Sequence, residues 1–282
     1  MYILGEFAWF RVSCVIFAVV LGAALGSFAC CQAWRIRLKE EKKKDLGKRS
    51  VCLSCGKKLN WYENIPIVSY ALQRGRCRKC GGKIGVAELW SEVAGAVGFG
   101  ALGWWAAEKY LALVEACGFG LSYLCGQDSG VLLFWIKLII VVIFATIMLI
   151  LAIYDARWRE LPTKLLWTAV GLGAIYAVLN ILWAEQEILQ TLGAVGVLGG
   201  IYYILYFASR ERLVGGGDWI LGLSVALVLG DWWLSIWVLF IANFVGAMVM
   251  LPQKKKKIGF APFLVGAFVV VFAFTDFFAK FL

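Results

Sequence analysis

Six side chains in this sequence have the types and spacings that carry chemistry. Cys52-Leu-Ser-Cys55-Gly and Cys77-Arg-Lys-Cys80-Gly are two CxxC pairs separated by 21 residues. Each pair is followed by glycine, the pattern of two knuckles that supply four thiolates to one tetrahedral zinc. Four thiolates leave the metal no open position, so such a site is structural rather than catalytic. A disulfide pair and a redox CxxC are the zinc-free readings. On the reducing side of a membrane structural disulfides are disfavoured, and a redox motif needs only one pair. The other two residues are Asp155, in Ile153-Tyr-Asp155-Ala-Arg157, and Asp218, in Gly215-Gly-Gly-Asp218-Trp. Both stand at the edge of an apolar run rather than in a polar loop. Two carboxyls held close share a proton, leaving one acid and one base at neutral pH. The base can take a proton from water as it attacks a peptide carbonyl while the acid protonates the developing oxyanion, which is aspartyl protease chemistry. Spacing alone leaves a plainer reading open. Asp155 can border a helix with Arg157 as partner, and Asp218 can be a carboxylate at a helix start.

Composition narrows the field. The 282 residues are 62% hydrophobic and 16% charged, with a mean hydropathy of +0.81. Disorder and an ordinary cytosolic globule are therefore both poor descriptions. There is no histidine, which removes Ser-His-Asp and His-Cys nucleophiles, imidazole bases and imidazole metal ligands. Between Arg35 and Ala87 there are 15 basic and 4 acidic residues, a net of +11, so the formal charge of +10 resides in that one segment. A basic surface suggests nucleic acid, but positive charge beside a membrane also sets topology and anchors a loop to anionic membrane lipid. The reading is therefore membrane lipid and no nucleic acid.

The elements that must position these residues are apolar runs of membrane-spanning length. They are Phe7 to Trp34, Leu89 to Ala107, Val131 to Tyr154, Pro162 to Trp183, Ile188 to Ala208, Asp218 to Gly230, Trp232 to Met250 and Gly259 to Phe278. The expected fold class is an all-α polytopic membrane protein of about eight transmembrane helices, with a cytoplasmic four-Cys zinc-ribbon-like insertion after the first helix. Residues 1–34 form the first helix, 35–88 the basic zinc-binding loop, and 89–282 the remaining helices with the aspartyl peptidase core. With the basic loop inside, Arg157, Arg159 and Lys164, then Arg210 and Arg212, then Lys254 to Lys257 also fall inside, and both termini fall outside. The run from Asp218 is short for a spanning helix, and Tyr110 to Cys125 is apolar enough for a re-entrant or surface-lying segment. Cys14, Cys30 and Cys31 read as packing, and whether Cys117 and Cys125 pair in the external loop stays open. The orientation brings Asp155 and Asp218 to one membrane depth, although they are 63 residues apart in sequence.

Several strings together resemble the bacterial type IV prepilin peptidases, bifunctional leader peptidases and N-methyltransferases. They are Gly26-Ser-Phe28 followed by Arg35, Cys52-x-x-Cys55-Gly, Trp61-Tyr-Glu-Asn64-Ile-Pro66-Ile-Val-Ser69-Tyr, and Arg74-Gly75-Arg76-Cys77-Arg-Lys-Cys80. Ile84 with Glu92, Asp155 followed by Leu161-Pro162, and Gly215-Gly-Gly217-Asp218 complete the set. The resemblance implies an enzyme of the bacterial inner membrane, with its active site near the cytoplasmic face. Such an enzyme removes the short basic leader of type IV prepilins or pseudopilins after a glycine, and then N-methylates the new terminus with S-adenosylmethionine. It implies Asp155 and Asp218 as catalytic residues, Cys52, Cys55, Cys77 and Cys80 as ligands of a structural zinc, and the cysteine loop as the part linked to methyl transfer. It names no residues for the methyl donor. Three positions depart from the family pattern: Thr163 replaces an aspartate, Ile220 replaces a lysine, and Gly26-Ser-Phe-Ala-Cys-Cys31 lacks an asparagine. Since a basic loop repels a basic leader, Glu92 or Glu63 is the expected receiver of that leader. The alternative from a different class is a transporter or scaffold that uses Asp155 and Asp218 as ion or proton ligands, and no inverted repeat favours it.

Overall fold

The computed structural model describes residues 2–41, 50–52, 54–116, 128–183, 186–209, 215–251 and 258–281. Arg210, Arg212, Lys254 to Lys257, Cys117 and Cys125 lie outside the described residues, and so do the topology and pairing expectations that fall on them. The described residues are helical, with two isolated β-bridges and no strand. In chain order the helices are α1 (Tyr2–Glu40), α2 (Val68–Leu72), α3 (Val86–Ala116), α4 (Asp128–Trp158), α5 (Thr163–Trp183), α6 (Ile188–Ala194), α7 (Ile201–Ser209), α8 (Asp218–Leu229), α9 (Trp232–Met250), α10 (Ala261–Ala273) and α11 (Thr275–Phe278). A π-helical turn, Val195–Gly200, joins α6 to α7.

All eight apolar runs are helical, but eight crossings are not established. Among the described residues, five helical stretches are long and apolar enough to span: Phe7–Glu40, Gly130–Trp158, Thr163–Trp183, Ile188–Ala208 and Trp232–Met250. A sixth is possible if α10 and the segment after it, bent by 81°, count as one span. The α8 helix has 12 residues and is about 18 Å long, short of a hydrocarbon layer about 30 Å thick. The α3 helix is diluted by Gly, Trp and charged residues. It runs unbroken to Ala116, so Tyr110 to Ala116 continue a helix and start no separate segment.

The α1 and α3 helices make the most extensive helix contact. A side chain at Gly22 would strike the Gly95 carbonyl, and one at Gly26 would strike Ser91 of α3, so these small residues let the two backbones touch. The rest packs around a core in which Phe144, Met148 and Leu151 of α4, Leu221 and Val225 of α8, Val238 of α9 and Leu264 and Phe268 of α10 are buried. The α4 helix ends where Arg159 takes a φ of 57° and its N–H returns to the Asp155 carbonyl at 2.8 Å, with Pro162 just beyond.

Candidate functional site

The two CxxC segments fold as near copies. Cys52 N–H reaches the Lys57 carbonyl at 2.8 Å and Gly56 N–H the Cys52 carbonyl at 2.9 Å. Cys77 N–H reaches the Gly82 carbonyl and Gly81 N–H the Cys77 carbonyl, both at 2.8 Å. Gly56 and Gly81 take φ of 68° and 66°, a left-handed conformation that explains the glycine after each pair. The four sulfurs lie within 4.8 Å of one another, and Cys52 Sγ is 3.9 Å from Cys80 Sγ. A tetrahedron with zinc–sulfur bonds of about 2.3 Å has edges of about 3.8 Å, so the donor set fits zinc in size and chemistry. The N–H groups of Cys80 and Lys79 hold the Cys77 thiol below the usual thiol range, which favours the thiolate that a metal takes.

Glu63 braces the first knuckle. It is buried, accepts from Lys57 Nζ at 2.8 and 3.1 Å and from Asn60 N–H at 3.0 Å, and is held below the usual carboxylate range first by that N–H and then by Lys57. The carboxylate expected to receive a leader is therefore committed inside the loop. Glu92 is only partly covered and accepts from Ile67 N–H at 2.7 Å.

Asp155 lies three residues from the end of α4 and is buried, and Asp218 begins α8. Asp155 Oδ2 accepts from Ala261 N–H at 2.8 Å, so the carboxyl caps the start of α10. Gly259 lies directly against the carboxyl and leaves no room for a β-carbon. Asp218 Oδ2 accepts from Gly215 N–H at 3.0 Å, closing the glycine turn on itself. The turn is seated by Leu161, whose side chain packs on Gly217, so the Leu161-Pro162 and Gly-Gly-Gly-Asp218 segments meet. Of the departures from the family pattern, Ile220 is buried in the core and Thr163 is exposed at the start of α5.

Sequence reading missed the other wall of this neighbourhood. The buried Tyr202 is within electrostatic reach of Asp218, receives a hydrogen bond from Asn243 Nδ2 at 3.0 Å and packs its ring 5.7 Å from Phe260. A tyrosine in an apolar run gives no local sign of this. The asparagine inside the Trp232–Met250 run was the available signal, since a polar side chain within a spanning helix needs a partner.

The cysteine loop and the aspartates occupy the same end of the helical body. Arg37, near the end of α1, reaches Glu160 just after α4 at 2.5 Å, and Arg157 Nη2 reaches Glu88 at the start of α3 at 3.1 Å. Tyr154 donates to Glu40 at this junction, and Trp34 meets Trp158 edge to face at 5.2 Å.

Two family models match the chain: Bacterial Peptidase A24 N-terminal domain over residues 20–106, and Type IV leader peptidase family over residues 142–251. A prepilin leader peptidase/N-methyltransferase of Vibrio cholerae serotype O1 is 26% identical over 225 residues, spanning 77% of this chain and 77% of its own. The protein of that name from Bacillus subtilis (strain 168) is 25% identical over 264 residues, 91% of this chain and 93% of its own. One from Myxococcus xanthus is 42% identical over 71 residues, 25% of this chain and 20% of its own. No solved structure matches.

Proposed function

The chain belongs to the type IV prepilin leader peptidase family and is an enzyme with protease activity, and on that premise we propose that Asp155 and Asp218 are its catalytic pair. The observation that carries this reading is that Leu161, six residues after Asp155, packs on Gly217 beside Asp218, so two carboxyls far apart in sequence sit on segments that meet at the end of the helical body where the cysteine loop sits. Its substrate is a prepilin or pseudopilin whose apolar helix lies in the bilayer and whose basic leader lies on the cytoplasmic side. One aspartate takes a proton from water as the oxygen attacks the carbonyl carbon of the glycine that ends the leader. The other protonates the carbonyl oxygen. Collapse of the tetrahedral species breaks the C–N bond, and the departing nitrogen takes a proton. Membrane depth aligns the junction with the pair, which replaces part of the positioning that a soluble protease obtains from a cleft.

The four thiolates of Cys52, Cys55, Cys77 and Cys80 hold a structural zinc that fixes the loop. The loop's Lys and Arg residues, with exposed Trp61 and Trp90, seat it on the anionic inner leaflet of the bacterial inner membrane. When bound, S-adenosylmethionine supplies a methyl group that the new terminal amine accepts as it loses a proton.

Purified protein mixed with a prepilin-like substrate, with products read by mass spectrometry, tests the reading. Leader loss in the wild type and none in Asp155→Asn or Asp218→Asn is expected. Cleavage that persists in both variants refutes the aspartate mechanism, and a one-methyl mass gain that depends on S-adenosylmethionine tests the second reaction.

A further inference from the structure

The α7 and α9 helices do not pack along each other: α7 lies on α8 and on the π-helical turn, and α9 lies on α10 and that same turn. A polar pair joins them. Asn243 Nδ2 of α9 donates to the Tyr202 hydroxyl of α7 at 3.0 Å and to the Leu239 carbonyl at 2.7 Å. A carbonyl can only accept, so the second bond fixes which end of the amide is nitrogen. Both hydrogens of the amide are thereby used, while Oδ1 accepts from no described group. The Asn243 side chain is exposed on a helix long and apolar enough to span, where lipid supplies no donor. An open acceptor there is costly until a donor reaches it. The pair lies beside both aspartate segments. The Tyr202 ring packs 5.7 Å from Phe260, whose neighbour Ala261 holds Asp155, and it lies against Gly222, one turn into α8 from Asp218. On the lipid side Phe240 stands one turn before Asn243 and is 58% exposed.

We infer that this face between α7 and α9 receives the apolar helix of the prepilin, with Asn243 Oδ1 accepting a backbone N–H of the stretch that unwinds to be cut. The inference rests on the prepilin peptidase reading above and adds the side from which the substrate meets the pair. A peptide bond within a helix has its carbonyl hydrogen-bonded and wrapped by neighbouring turns, so the junction must be extended where water attacks. Extension leaves the substrate's N–H groups unpaired, which the bilayer penalises. Asn243 has the complementary deficit, so each group gains on docking the partner it lacks alone. The α9 helix returns from the far end of α8 to the end that carries Asp218, and Asn243 lies seven residues before its last residue, Met250, about 10 Å along the axis. An extended stretch entering from the aspartate end thus reaches Asn243 first, and the intact part of the substrate helix continues past Phe240. A lipid acyl chain on this face would offer no N–H.

The full chain in detergent with a prepilin-like substrate tests this in two ways. In cleavage kinetics, Asn243→Leu should raise KM about tenfold, the worth of one hydrogen bond. Tyr202→Phe breaks the same internal bond but keeps the amide oxygen, and should leave KM within about twofold. A merely structural role for the pair predicts the same KM in both variants, and unfolding midpoints report that each is folded. The second arm leaves Asn243 in place. Photoreactive benzoylphenylalanine replaces either Phe240 or Phe17, an exposed side chain of α1, which packs on α3 and α4. Photolysis and mass spectrometry should show substrate joined at the first position and not at the second. Equal KM in the two variants, no adduct at the first position in a protein that cleaves, or an adduct at the second that matches it, overturns the docking face. Cleavage that survives in both Asp155→Asn and Asp218→Asn refutes the catalytic pair and leaves the docking face standing, since the adduct does not depend on which groups do the chemistry.

Discussion

Replacing Gly259 with alanine should slow catalysis in a protein that still folds. A β-carbon there would press hardest on Asp155 Oδ2 and lie 2.6 Å from both Asp155 Cγ and the Asp155 carbonyl oxygen, against 3.4 Å or more for ordinary contact, so at least about 0.8 Å of overlap must be relieved. Two routes are available. The Asp155 carboxyl swings off Ala261 N–H, or the start of α10 backs away from α4 with that bond stretched. Either displaces one carboxyl of the proposed pair by a large fraction of an ångström, and a misplacement of about 1 Å costs on the order of 100-fold in rate. That corresponds to about 2.7 kcal/mol of barrier. Because the change falls on the chemical step, kcat should drop while KM stays within about twofold. The overpacking should also lower stability by about 1–3 kcal/mol.

Leader removal from a prepilin-like substrate, followed by mass spectrometry across substrate concentrations with an unfolding midpoint for each protein, measures both effects. Gly266→Ala is the internal control. It sits in the same α10 helix with nothing beyond its own helix backbone within 4 Å of the added carbon, so activity should hold and helix propensity should favour it by up to about 1 kcal/mol. A folded Gly259→Ala protein that cleaves at the wild-type kcat would show that the position of Asp155 against α10 does not matter for the reaction.

Three further outcomes follow from the loop and the tyrosine wall. Cys52→Ser or Cys80→Ser should reduce zinc below one ion per chain by elemental analysis and lower the loop's resistance to proteolysis, since each supplies one of four donors. Glu63→Gln should weaken the loop in a pH-dependent way. Glu63 is held below its ordinary value of 4.5, so its contribution is complete above that pH and is lost as pH falls through the lowered value. The proteolysis gap between wild type and variant should therefore stay constant at neutral pH and close only below about 4.5, and a gap that closes near pH 7 contradicts the assignment. Tyr202→Phe removes the Asn243 hydrogen bond, worth about 1 kcal/mol, and should slow cleavage about fivefold if the hydroxyl helps to place Asp218.

Much of this was legible in the sequence because the signals were local or categorical. The two CxxC-Gly strings dictate their own turns, so the knuckles and their shared thiolate cluster could be read directly. The apolar runs likewise mark the helices. The number of crossings was less legible, because apolar composition does not separate a helix that spans from one that is short or bent, as α8 and the α10–α11 pair illustrate. Glu63 misled for a related reason: an acid in a basic loop looks like a receptor for positive charge, although the capping-box spacing Asn60-x-x-Glu63 was a local sign of its bond to Asn60 N–H, and only the Lys57 pairing was hidden. Gly259 and Tyr202 were unreadable because their partners are distant in sequence, Asp155 for the first and Asn243 and Asp218 for the second.

The last turns of α4 account for the arrangement as a whole. Within five residues they hold Tyr154 bonded to Glu40 of α1, Asp155 at the start of α10, Arg157 bridged to Glu88 of α3, and Trp158 against Trp34. With a period of 3.6 residues Tyr154 and Trp158 share the face toward α1, while Asp155 and Arg157 project about 200° apart, so one short segment ties the cysteine-loop half to the half that carries the second aspartate. The left-handed Arg159 and the following Leu161-Pro162 stop α4 before it overruns this junction, and Leu161 then seats the glycine turn of Asp218. The residues between Asp155 and Pro162 therefore do two jobs, fixing one carboxyl of the pair and docking the loop that carries the other. A substitution that loosens this junction, such as Pro162→Ala at the entry to α5, where the Pro162 carbonyl accepts from Leu165 and Leu166 N–H, should disturb cleavage more than it disturbs zinc binding, because the knuckles close through contacts within the loop itself. Equal loss of both would mean that the two halves fold as one cooperative unit.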